Sequence, residues 1–388
     1  MRNTTRLLRS LAAAGGLLMM TGLAPAADST LLFVGTWPKN VAVLEEASGT
    51  IIDRIQLISD APRTLLPTQD RKKIIAITIK DAGFETIDVE TRKVVDSFTL
   101  GSTTKRIRLQ GSALDPGGRY VYVVMNVANK LIDRFEIEKP KFAIVDLQEK
   151  KIAKTVELPK EVSPSANMGG GGGGGRGGGQ MRFSPDGKYL WFFRDNIYIV
   201  DTTDFKIVET IPLARPEFPY MEAISLSGNE DPNEEPGKMT AIFNTSDPVV
   251  HRRIFGVAQI DLNTRKIEFT PIGPAIASMN GNVRLSPDRK SAYGVTINGV
   301  HGDRYCEFFV LDMGSRKITK RASFPGRTRF SIGMTTDGKN LIVYGAGYTM
   351  ELYDTTTLQF VRQIDMNADM TTPLVALPKR PVQAAATR

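Results

Sequence analysis

Residues 182–193 read RFSPDGKYLWFF. The Asp186-Gly187 pair lies between two apolar stretches, and glycine accepts a positive φ without a Cβ clash. That combination predicts a tight turn joining two antiparallel strands. The turn returns as LSPDRK (285–290) and TTDGKN (335–340), and more loosely as LDPGGRY (114–120) and PTQDRKK (67–73). An apolar run follows each one: YLWFF (189–193), SAYGVTIN (291–298), LIVYGA (341–346), YVYVVMN (120–126) and IIAITI (74–79).

A third phrase completes the pattern. It is a β-rich run that ends in an acid, crosses a polar turn and continues in a second β-rich run, as in IYIVDTTDFKIVETIPL (197–213) and FFVLDMGSRKITKRASF (308–324). The acids are Glu45, Asp88, Asp146, Asp201, Asp261, Asp312 and Asp354, which makes seven copies. Four antiparallel strands per repeat of roughly 40–60 residues predicts propeller blades. One four-stranded sheet cannot bury both faces, whereas blades stacked around an axis can. The expected fold is therefore an all-β, seven-bladed β-propeller with four antiparallel strands per blade. The first copy begins at LLFVGTW (31–37) with no turn strand before it, and TTPLVALP (371–378) is an apolar run with no blade after it. The C-terminal strand is expected to join the N-terminal blade and close the ring, which removes two open edges.

The pattern of 184–211 resembles the YVTN-type seven-bladed propeller repeat. That family includes surface-layer propellers and the propeller (beta) subunits of quinohaemoprotein amine dehydrogenases. The resemblance covers about 31–378; the eponymous tetrapeptide is echoed only as VVMN (123–126) and VTIN (295–298). In those dehydrogenases the redox group sits on other subunits, so the resemblance implies no cofactor here.

Composition narrows the chemistry. The 388 residues include two histidines and one cysteine, so an internal disulfide is impossible and a Cys/His zinc site lacks ligands. No Cys-x-x-Cys-His motif is present to attach haem, and two tryptophans, Trp37 and Trp191, are too few for a blade-by-blade Trp docking set. No metal, cofactor or catalytic residue is expected.

Residues 1–26 read as a secretory signal peptide, with Arg2, Arg6 and Arg9 before an apolar run (11–24) and small residues at 24–26. Cleavage near Ala26 removes three arginines and no acid, and lowers the net charge from +8 to +5. A periplasmic or secreted protein is expected, without a transmembrane span and without a nucleic-acid partner. The expected domain occupies 27–380, with a flexible glycine-rich insert at 169–179, an acidic solvated loop at 228–238 and a disordered tail at 381–388.

Within a blade, the second-to-third-strand loops and the interblade loops should share one face, here called the top. The long candidates are 126–141, 244–256 and 298–307, with interblade loops at 61–64, 105–108, 214–220 and 325–330. Much of the arginine excess maps there. Loops on a rigid scaffold commonly carry function, and arginine suits carboxylate or phosphate. The candidate binding residues are His251, Arg252, Arg253, His301, Arg304, Tyr305, Arg215, Arg327 and Arg329. They point to a protein partner or an anionic ligand, held by a monomer or by a subunit of a hetero-complex. The leading reading is an exported, non-catalytic binding module or accessory subunit. The alternatives are the propeller subunit of a periplasmic dehydrogenase and a propeller lactonase or hydrolase.

Overall fold

The computed structural model describes residues 30–158, 180–194, 196–215, 217, 221, 224–227, 231–245, 254–274, 283–299, 301–327, 329–345 and 347–377. The expected signal peptide (1–26), the glycine run (169–179), the expected tail (381–388) and His251 to Arg253 lie outside these.

The described strands form seven antiparallel sheets arranged in a ring. With strands named A to D from the innermost outward, blade 2 is Pro62–Pro67, Lys73–Thr78, Gly83–Asp88 and Lys93–Thr99. Strands B and C are buried on both faces, which is why YLWFF and NIYIVD read as continuous apolar runs. Strand D alternates between half-buried and exposed, as in IVETIP (207–212). The core divides into seven apolar clusters, one in each seam between blades. Phe33, Val41 and Val43 of blade 1 meet Leu65, Ile74 and Ile87 of blade 2, and the other six seams repeat the plan.

The seven acids have a common task at the base of each blade. Each ends strand C, and its carboxylate accepts a hydrogen bond from a residue two or three positions on, such as Thr91 N–H to Asp88, Thr203 N–H to Asp201 and Ser315 N–H to Asp312. Glu45, longer by one methylene, accepts the Ser48 hydroxyl instead. The residue after each acid donates its N–H to the carbonyl of the A–B turn or, in blade 1, of Thr30, as in Val89 to Lys72, Thr202 to Lys188 and Glu46 to Thr30. The fourth residue after each acid has a positive φ between 55° and 71°: Gly49, Arg92, Lys150, Phe205, Arg265, Arg316 and Leu358. A turn followed by one left-handed residue is a standard hairpin connection.

That left-handed residue also fastens neighbouring blades. Where it is cationic, it meets an acid on strand D of the preceding blade: Arg92 with Asp53 at 2.9 Å, Lys150 with Asp96 at 2.5 Å, Arg265 with Glu209, and Arg316 with Glu268 at 2.5 Å. Where it is not, the preceding strand D supplies the cation and the turn supplies a carbonyl. Lys154 reaches Thr203 beside Phe205, Lys320 reaches Thr356 beside Leu358, and Arg362 reaches Ala47 and Ser48 beside Gly49. All seven seams carry one form or the other.

The ring closes as expected. Leu31, Leu32 and Phe33 pair with Leu377, Ala376 and Val375, so the C-terminal strand is strand A of blade 1. Gly35 donates its N–H to Thr372 Oγ1 and accepts from Thr371 N–H, both at 2.8 Å. Thr30 and Glu46 bind Thr336 of blade 7 across the seam between blades 7 and 1.

Two loop expectations are corrected. Residues 105–108 are not an interblade loop; they begin strand A of blade 3, Lys105–Leu114. That strand pairs with a long strand B, Tyr120–Lys130, which turns into a fifth strand, Phe135–Ile137. Much of 126–141 is therefore a hairpin rising above the ring. The described part of the acidic loop is not simply solvated. Asp231 is buried, its Oδ2 accepts Leu285 N–H of blade 6, and Asn233 Nδ2 donates to Leu285 O. The short inner strand of blade 6, Arg284–Leu285, is completed by side chains from blade 5.

Candidate functional site

The B–C and interblade connections do share a face. Gly101 N–H reaches Asp81 O, Ile79 N–H reaches Ala61 O and Met366 N–H reaches Tyr348 O, each a bond between one loop of each kind.

The candidates at blades 6 and 7 fall into two groups. Arg304 and Tyr305 lead into strand C of blade 6, and Arg327 and Arg329 lie on the connection from blade 6 to blade 7. The two stretches touch: a Cβ on Gly326 would sit 2.1 Å from Cys306 Sγ. The side chains of Arg304, Tyr305 and Arg329 are exposed and make no hydrogen bond or ion pair with another described residue. Arg327 is spent inside the fold. It donates to Thr349 O, Thr349 Oγ1 and Glu351 Oε1, and the other oxygen of Glu351 accepts the Tyr353 hydroxyl. Burial first, and the hydrogen bond to Glu351 second, push the Tyr353 hydroxyl well above its ordinary pKa. Glu85 of blade 2, three residues before its marker acid like Glu351, likewise holds a connection, accepting Ile58 and Ser59 N–H.

Arg215 is also engaged. It donates to Pro212 O and Ala214 O and lies over the Phe269 ring. His301 begins a one-turn 3₁₀ segment, His301–Asp303. Cys306 is buried, and burial raises its thiol pKa. A nucleophilic cysteine needs the opposite shift. Among the described residues, no three His, Cys, Asp or Glu side chains cluster to hold a metal.

A second place on this face holds none of the candidates named from the sequence. A cleft of about 670 Å³ lies between the blade 2 loop Ile79–Asp81 and the raised hairpin of blade 3. Ile79, Ala128 and Ile137 supply its apolar lining, and Arg63, Lys80, Arg106 and Arg108 its cations. Arg106 binds Asp81 at 2.5 Å and Arg63 donates to Leu109 O. Lys80 and Arg108 are exposed and pair with no described acid. Asn126 lines the cleft, and its buried side-chain oxygen has no hydrogen-bond partner. The alternation in KRIRL (105–109) was the available signal: Ile107 and Leu109 are buried while Arg106 and Arg108 are exposed.

No protein-family profile and no curated protein matches the chain. Solved structures do. Hydrazine synthase of Kuenenia stuttgartiensis is similar over 83% of this chain and 96% of its own, at 14% identity and a TM-score of 0.51. Dihydro-heme d1 dehydrogenase NirN is similar over 90% and 75%, at 16% identity and 0.50. A functionally unknown protein from Desulfotomaculum acetoxidans is similar over 90% and 98%, at 10% identity and 0.53. The likeness is one of fold. No helix among the described residues is long and apolar enough to cross a membrane.

Proposed function

We propose that the protein is an exported, non-catalytic propeller that acts as a binding module or accessory subunit through its top face. The observation that carries this reading is the exposed trio Arg304, Tyr305 and Arg329, on two connections packed together through Cys306 and Gly326. Cations without internal partners on a rigid scaffold attract acidic groups, more strongly at low salt. His301 and His251 to Arg253 are proposed to meet the same partner, whereas Arg215 and Arg327 support the loops. The resemblance to YVTN-type propellers and amine dehydrogenase propeller subunits supports an accessory role.

The test compares wild type with Arg304→Glu plus Arg329→Glu, both exposed, so folding should be retained. Each is immobilised and exposed to native periplasmic extract at low and high salt. The reading expects a protein retained by wild type at low salt, released at high salt, and lost from the double variant. Equal retention by both would overturn it.

A further inference from the structure

We infer that the cleft between blades 2 and 3 binds an extended, acidic peptide segment of a partner protein. This goes beyond the blade 6 and 7 rim and uses different residues. Three observations converge. First, the cations are in surplus: Lys80 and Arg108 have no described acid, and the single lining acid, Asp81, is taken by Arg106. Second, the buried Asn126 side-chain oxygen lacks a donor. A peptide brings backbone N–H groups as well as carboxylates, whereas phosphate or a free dicarboxylate brings negative charge with few or no donors.

Third, a strand edge that no described strand covers lies beside the cleft. Leu131 N–H bonds to Arg134 O, and Glu138 N–H bonds to Val127 O. Alternation along an antiparallel pair then makes Asn129 and Glu136 the hydrogen-bonded pair between them. The backbone groups of Phe135 and Ile137 consequently point to the outer edge, where no strand pairs among the described residues. Their side chains are 64% and 79% exposed. Open apolar edges are normally blunted in proteins, and adding a partner strand is a recurrent mode of peptide recognition. Ile137 belongs both to this edge and to the cleft, so one extended segment can use both. Its backbone bonds along Phe135–Ile137, and from the one face it turns to the cleft apolar side chains lie on Ile79 and Ile137 while acids further along meet Lys80 and Arg108.

The probe is a fluorescent peptide of about eight residues, a common strand length, whose alternate, cleft-facing positions carry two valines and then two glutamates, with serines between them. Controls replace the glutamates with lysines, or carry N-methylated amides in the glutamate sequence. Fluorescence anisotropy should show the glutamate peptide binding, the two controls failing to bind, and free glutamate failing to compete. Lys80→Glu plus Arg108→Glu should weaken binding by about tenfold or more, as expected for losing charged contacts. The milder Arg108→Gln should weaken it in the same direction, and circular dichroism checks that both variants fold. Arg304→Glu plus Arg329→Glu should leave peptide affinity unchanged, which separates this proposal from the previous one. Absence of binding, wild-type affinity in both cleft variants, or equal binding of the lysine or N-methylated peptide would overturn it.

Discussion

Arg92 Nε donates to Asp53 Oδ2 at 2.9 Å across the seam between blades 1 and 2. The pair is half exposed, so its contribution is modest, about 0.2–1 kcal/mol. Its interest lies in the matching around the ring. An acid on strand D faces a cationic left-handed turn residue, and a cation on strand D faces an apolar or glycine turn residue. Asp53→Arg should therefore destabilise the protein, and Arg92→Asp should restore part of the loss in the swapped pair. A double-mutant cycle in urea measures the coupling, and additive effects would show that the seam is held by its apolar cluster alone.

Closure depends on the close approach of Gly35 to the C-terminal segment. A Cβ there would lie 2.5 Å from Thr372 Cγ2 and 2.6 Å from Pro62 Cγ. Gly35→Ala should cost about 1–3 kcal/mol, the range for overpacking, and lower the thermal midpoint. Truncation after Met370 removes strand A of blade 1 and should give an insoluble or strongly destabilised protein. A truncated protein that melts like wild type would contradict closure.

The thiol of Cys306 should be silent in the native state, because it is buried with a raised pKa. Ellman's reagent at neutral pH should label the protein only after denaturant is added. Gly326→Ala should destabilise and unmask the thiol, since Gly326 has φ +65° and packs on Sγ. Rapid labelling of the folded wild type would contradict the placement.

Acid should unfold the protein through the blade-base carboxylates. Hydrogen bonds from turn residues hold Asp88, Asp261, Asp312 and Asp354 below the usual carboxylate range. A folded pKa below the unfolded one stabilises above the unfolded value, about 3.9 for Asp, and that stability is lost as pH falls through the folded values. Glu46 and Glu234 have the opposite sign, because burial raises them and favours their protonated forms. Their contribution is lost as pH rises through their folded values. With more carboxylates lowered than raised, stability should fall below about pH 4, and Asp312→Asn should flatten that fall. Thermal melts between neutral pH and pH 3 check the sign.

The fold was legible because the same acid performs the same turn chemistry in every blade, and because buried B and C strands are unbroken apolar runs. What misled was charge. Lys105, Arg106 and Arg108 suggested a loop, yet Ile107 and Leu109 between them bury a strand. Asp231 stood among acids that suggested solvent, yet it completes the edge of a two-residue strand in the next blade. Arg327 counted as a surface cation because its partner, Glu351, lies on the following blade. Such contacts cross seams, and one-dimensional patterning carries no register between blades.

Amine cross-linking of the protein in its native extract, read by mass spectrometry, tests the central claim that partners meet the top face. Lys80, Lys105 and Lys130 belong to that face, while Lys188, Lys290 and Lys339 sit at the exposed A–B turns of the base. Intermolecular cross-links should come from the first set and none from the second. Cross-links confined to the base turns, or none at all, would contradict it.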